Sequence, residues 1–280
     1  MAVFRAPALS AALLLASCGG GTALMHPAHT LPKGRFTAGA GVSNHFVLGE
    51  PAERIDRARA AARTENGGDD RRGDLERGAL ALALSGPGLA PWLGARAGLG
   101  GNTELGVTYT GRAARADGRY AFQDEQFALS LGGGLSAVTE RPERSGMLAS
   151  SGSEGIDSIK VGRTRGWGGD VPVLIGFRSD ISLVQVWLGA RAGFERLSGE
   201  FVYDLAGSEQ WVDVDANRWY TGGLFGLAVG VYPLWVVVEV DAAYQHLSGE
   251  WQRQDPGAGR DSAKWSGATI TPTGALVGQF

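Results

Sequence analysis

The chain has 280 residues, 44% of them hydrophobic, with a formal net charge of -3, 45 Gly and a single Cys. One thiol excludes an internal disulfide framework, and with only four His it argues against a Cys/His metal cluster. The charge gives nucleic acid no electrostatic footing, and eight Trp, ten Phe and six Tyr exclude wholesale disorder.

The predicted elements begin with a targeting segment over residues 1–17. Arg5 precedes an apolar run, Ala6 to Leu15, that is too short to span a bilayer. The run ends in Leu15-Ala16-Ser17-Cys18, which resembles the lipobox of bacterial lipoproteins. That resemblance implies cleavage before Cys18, lipidation of its thiol, acylation of the new amine and durable anchoring by several acyl chains. In lipoproteins an Asp directly after the Cys goes with inner-membrane retention; Gly19 stands there instead, which implies the outer membrane. Residues 18–34 then read as a lipidated tether. His26 and His29 within it make only a weak metal pair.

Beyond the tether, apolar residues recur at every second position, the period of a strand with one greasy face. The runs are Phe36 to Val42, Leu80 to Leu84, Leu93 to Leu99, Leu105 to Tyr109 and Phe127 to Leu135. They continue with Val171 to Phe177, Val186 to Ala192, Phe225 to Val231, Val236 to Val240 and Ala268 to Phe280. About ten strands are expected, with 8 or 12 as alternatives. The opposite face is mostly Gly, Ala, Ser and Thr, interrupted by Arg96, Glu104, Arg191, Glu239 and Asp241. Such a face suits a narrow polar lumen, in which Arg and carboxylate groups pair across the interior.

Turn chemistry marks 86–88, 100–102, 116–119, 179–180 and 232–233. Long polar connections are expected near 48–74, 139–167, 204–217 and 249–263, so short turns gather at one end and long loops at the other. An even strand count puts both termini at the short-turn end. Trp92, Tyr109, Trp219, Tyr232, Trp235, Tyr244 and Trp265 fall near strand ends, where interfacial girdles use aromatic rings. The heptad Trp92-Leu93-Gly94-Ala95-Arg96-Ala97-Gly98 recurs from Trp187 to Gly193, with Arg96 and Arg191 expected in the lumen between glycines that leave them room.

Over residues 35–280 the chain resembles a Gram-negative outer-membrane β-barrel, an all-β antiparallel up-and-down transmembrane fold carried on a lipoprotein leader. The resemblance is architectural. It implies outer-membrane lipids and the barrel-assembly machinery as partners, both termini on the periplasmic side, and Phe280 as a terminal assembly signal, although Gly278 stands where that signal usually has a hydrophobic residue. It implies no catalytic residues and no cofactor.

Several constellations are weighed for chemistry. Residues 51–64 are expected as a helix, either a lumen plug or a solvated loop element; Pro51 suits a first turn and Glu53 supports Arg57. Asp213 and Asp215 near Asp241 or His246 are the only hint of a hydrolytic carboxylate set. Ser43 with His45, and His246 with Ser248, are the only Ser–His pairings. The polar loop with Arg141, Arg144, Ser150, Ser151 and Asp157 is a surface for partners of unknown chemistry. Gly166-Trp167-Gly168-Gly169 reads as the interfacial start of a strand, lacking the Lys of a phosphate cradle. A structural or surface-interaction barrel ranks first, a small passive channel second and a barrel-embedded hydrolase or protease third. Ten strands are too few for a general porin.

Overall fold

The computed structural model describes residues 23–63, 69–111, 113–140, 159–179, 183–205, 208–254 and 259–280. Ten antiparallel strands close into one up-and-down barrel, in which β1 (Phe36–Gly49) pairs with both β2 (Gly88–Gly100) and β10 (Arg260–Gln279). Between them lie β3 (Thr103–Tyr109), β4 (Ala113–Gln123), β5 (Phe127–Glu140), β6 (Ile159–Arg178), β7 (Val184–Leu205), β8 (Ser208–Val231) and β9 (Leu234–Arg253). Phe280 reinforces the seam: its N–H donates to the Phe36 carbonyl at 2.8 Å, Phe36 returns the bond at 3.0 Å, and the two rings stack at 5.1 Å.

The polarity is inside out. Leu105, Val107, Leu129, Leu131, Leu135, Val173, Ile175, Leu188 and Phe225 all point outward and are exposed, while Glu104, Arg115, Asp170, Arg191 and Glu239 are buried inside. A transmembrane barrel has this arrangement, because lipid solvates the outer face and the lumen must pair its own charges.

The count of ten holds, but two individual assignments do not. The run Leu80–Leu84 belongs to a helix. Two helices, α1 (Glu50–Ala62) and α2 (Asp69–Ser85), connect β1 to β2, and α2 contains that run. Ala and Leu are strong helix formers, and Leu75, Ala79, Leu80 and Leu84 fall on one buried face. Conversely, 116–119 is no turn but the middle of β4. Arg115, Asp117 and Arg119 alternate on its inner face, so its period-two signal is carried by charges rather than by apolar residues.

The wall is uneven. Strands β2 to β5 have 7 to 14 residues, whereas β6 to β10 have 20 to 24. About ten residues suffice to cross a bilayer, so the tall half projects well past the apolar band at the helix end. The expected loops 204–217 and 249–263 are mostly this projection, and Trp167 lies within β6 rather than at its start. The projection's inner face is apolar because it has a partner. Leu197, Phe201, Tyr203, Val212, Leu247, Trp251 and Trp265 form one core with Ile55, Ala58, Leu75, Leu80 and Leu84 of the helices. Within that core the Glu76 carboxylate accepts the Tyr203 hydroxyl at 2.7 Å and the Trp251 indole N–H at 2.9 Å. Most of the expected loop 139–167, with Arg141, Arg144, Ser150, Ser151 and Asp157, lies outside the described residues, as does the leader with Cys18.

Candidate functional site: the occupied lumen

Charge pairing organises the middle of the barrel. On β2, β3 and β4, Arg96 bonds the Glu104 carboxylate and reaches Asp117 at 2.5 Å, while Arg119 holds Glu104 at 3.0 Å. Arg115 carries the chain onward, bonding Asp117 at 2.5 Å and gripping Asp170 of β6 with two bonds of 2.8 and 3.1 Å. Arg191 of β7 closes it on Asp170 Oδ2 at 2.7 Å, an oxygen it shares with Arg115. A continuous ionic belt therefore runs Arg119–Glu104–Arg96–Asp117–Arg115–Asp170–Arg191. Asp241, half-buried on β9, lies in the field of Arg191 and Arg218. Removing one member of such a belt strands a buried charge, a loss of about 3–5 kcal/mol.

Residues 23–31, expected as part of a tether, lie inside the barrel, and 32–34 are exposed at its mouth. Glu239 of β9 accepts the Leu24 N–H at 2.6 Å, the Met25 N–H at 3.0 Å and the Trp187 indole N–H at 2.9 Å. Trp92 donates its indole N–H to the Ala23 carbonyl at 3.1 Å. Further along, Arg119 bonds the Pro27 carbonyl, the His29 carbonyl at 2.9 Å and the His26 ring nitrogen at 2.8 Å. Leu31 N–H donates to Glu104 and Thr30 N–H to Gln123, at 2.8 and 2.7 Å. The segment thus descends from the Trp92–Trp187 level to the mouth where both chain ends meet the sheet, here called the terminal mouth. Ala23, Leu24, Met25 and Ala28 pack against Trp92, Leu174, Trp187, Leu224 and Val237. Close approach depends on two glycines: a Cβ at Gly98 would strike the Leu31 and Pro32 carbonyls, and one at Gly176 would strike Ala28.

Burial pushes the His26 ring well below its ordinary value, with Arg119 beside it acting the same way. His29 is pushed down to about 4, again by burial first and by Arg178 second.

The repeated heptad has one structural meaning at both places. Trp92 and Trp187 are buried and fasten the segment or its Glu239 anchor, while Arg96 and Arg191 join the belt. Its glycines do not house the guanidinium groups. Gly94 makes room for the Trp92 ring, Gly189 for Leu174 and Gly193 for Tyr220; Gly106 and Gly134, on neighbouring strands, make room for Arg96 and Arg115. The aromatic girdle is smaller than expected, since Trp92, Trp235 and Trp265 are buried inside. Tyr109, Trp219, Tyr232 and Tyr244 do face outward.

The hydrolytic candidates are not brought together. Asp213, Asp215 and His246 point outward, whereas Asp241 is on a lumen-facing position of β9. His246 bonds Ser266 at 3.0 Å rather than Ser248. His45 bonds Thr271 at 2.6 Å, and Ser43 donates to the Ala90 carbonyl at 3.3 Å. Among the described residues no group of three or more His, Cys, Asp or Glu side chains is placed to hold a metal ion.

No protein-family model matches the sequence, and no curated protein matches it. Among solved structures, Neisserial surface protein A aligns over 89% of this chain and 100% of its own, at 12% identity and a TM-score of 0.30. A major outer-membrane protein of Thermus thermophilus aligns over 88% and 99%, at 8% identity and 0.37. The Ralstonia pickettii toluene transporter TbuX aligns over 94% and 97%, at 10% identity and 0.35. Overlap this slight carries no function from those proteins to this chain.

Proposed function

We propose that the chain is a bacterial outer-membrane barrel with a closed lumen, serving a structural or surface-interaction role through its projecting wall and helix-end loops. The observation that carries this reading is double occupancy. The N-terminal segment and the ionic belt occupy the terminal half of the lumen, and the helical hairpin occupies the inside of the projection. The continuous outward apolar face supports membrane residence.

In this reading the terminal mouth faces the periplasm and the projection faces outward, Phe280 helps the assembly machinery recognise the last strand, and Cys18 carries the acyl chains. Ala23 is held in the lumen, and the five residues back to Cys18 span at most roughly 17 Å. The acyl chains therefore reach a leaflet only if a lipid face lies within that distance of the segment's inner end. Acyl labelling of wild type and Cys18→Ser checks the anchor; labelling that survives the substitution refutes it.

Planar-bilayer recording of the folded protein tests the closed lumen. A silent bilayer is expected, and stable unitary steps from the intact chain would overturn the reading in favour of a small passive channel.

A further inference from the structure

The N-terminal segment does not fill the terminal mouth evenly. At the mouth its polar fastenings are on β2 to β4, at Gly98, Glu104, Arg119 and Gln123, while Glu239 of β9 holds its inner end. A space, here called the crescent, remains between the segment, Arg96, Glu104 and Arg119 on β2 to β4, and the facing arc of β6 to β10. It sits at the strand ends, since Arg178 closes β6, Gln185 and Trp235 are the second residues of β7 and β9, and Gln279 closes β10.

The two sides of this crescent differ in chemistry. Trp235, Val237 and Val277 with Met25 give it an apolar side, and Arg178, Gln185 and His29 give it a polar one. Two of these residues are more than nine-tenths buried and carry unpaired polar atoms. Both ring nitrogens of His29 and the indole N–H of Trp235 have no hydrogen-bond partner. Buried polar atoms are seldom left this way. Cations outnumber carboxylates in the wall of the space, with Asp124 in reach of His29 from outside it. Glu104 is the only carboxylate in its wall, and Arg96 and Arg119 already claim it. Among the described residues the Arg178 side chain bonds the Glu125 carbonyl, at 3.1 and 3.2 Å, and forms no ion pair.

We propose that the crescent is a binding site for a small organic anion, a carboxylate on a short or flat apolar body. Arg178 selects the negative charge, the free N–H groups of His29 and Trp235 serve the carboxylate oxygens, and the body lies along Val237, Val277 and Met25. The site is blind, because the segment and its Glu239 anchor lie above it, so binding there does not require a conducting lumen.

Calorimetric titration of the folded full chain in a nonionic maltoside tests this, with benzoate and hexanoate as probes and benzyl alcohol as the neutral control. Saturable benzoate binding is expected, at least about tenfold tighter than benzyl alcohol, since one charge-assisted contact is worth roughly that factor. Arg178→Gln should weaken it about tenfold. Trp235→Phe, which keeps the ring and removes the donor, should weaken it by a few-fold. Heat-shifted gel mobility verifies that each variant is folded; if Arg178→Gln is not, Gln185→Ala and Trp235→Phe carry the comparison. The proposal is overturned by no saturable benzoate uptake, by equal uptake of benzyl alcohol, or by binding that the folded variants leave unchanged.

Discussion

The barrel is filled twice, and the balance of polar and apolar fastening differs between the two fillings. In the terminal half, residues 23–34 combine hydrogen bonds to Glu239, Glu104, Gln123 and Arg119 with apolar packing of only four small or flexible side chains, Ala23, Leu24, Met25 and Ala28. At the other end, the helical hairpin is fastened by an apolar core with Glu76 as its one buried acid among the described residues. Polar fastening is directional and sensitive to protonation, and in water its net contribution per bond is only about 1 kcal/mol. Apolar fastening is insensitive to both and scales with buried area. The first filling is therefore the removable one, and the second belongs to the fold.

The sharpest test of that contrast is deletion of residues 23–32. It should leave a heat-modifiable barrel, yet convert a silent bilayer into one with small unitary steps. Continued silence would mean that the ionic belt alone seals the lumen. Next in size is Asp170→Asn, which leaves Arg115 and Arg191 short of their shared carboxylate. A loss of roughly 3–5 kcal/mol is expected, read as a lowered unfolding midpoint in urea. Leu80→Ala in the hairpin should cost roughly 2–5 kcal/mol by opening a cavity among fully buried neighbours, with no change in conductance. Equal sensitivity of conductance to Leu80→Ala and to the deletion would erase the distinction between the two fillings.

The smallest effect is in pH. His29 stays neutral in the docked segment down to about 4, whereas a released His protonates near 6.5. His26, also pushed down, acts in the same direction. As pH falls from 6.5 toward 4, the released form gains protons that the docked form refuses, so docking weakens; above 6.5 the two forms bind equally and nothing changes. Arg119 and Arg178 face these rings and add to the effect, while Asp124 opposes it at His29. Limited proteolysis of the segment should speed up between pH 6.5 and 4.5, and the His26→Gln, His29→Gln double variant should flatten that dependence. The hairpin should show no such window.

Period-two alternation was enough to find nine of the ten strands, because each presents one apolar face to lipid and needs no partner to do so. The exception is instructive. In β4 the side chains that mark the strand are Arg115, Asp117 and Arg119, and nothing in the sequence says that Glu104, Arg96 and Asp170 will meet them. The same limit hid Trp92, which by position resembles an interfacial ring until the segment it braces is seen. Helix α2 was disguised by Leu at 80, 82 and 84; its period becomes readable only when Leu75 and Ala79 are counted with Leu80 and Leu84 on one face.

By itself, then, the sequence determined the barrel class, the faces of nine strands and part of the lumen's charge. Those properties follow from local periodicity and from the solvent on each side of the wall. Only the tertiary structure decided that the tether-like residues enter the lumen, that two expected loops are a projecting wall, and that scattered Arg and carboxylate residues form one belt. Each of those outcomes depends on groups far apart in the chain, and closure of the sheet is what brings them within bonding distance.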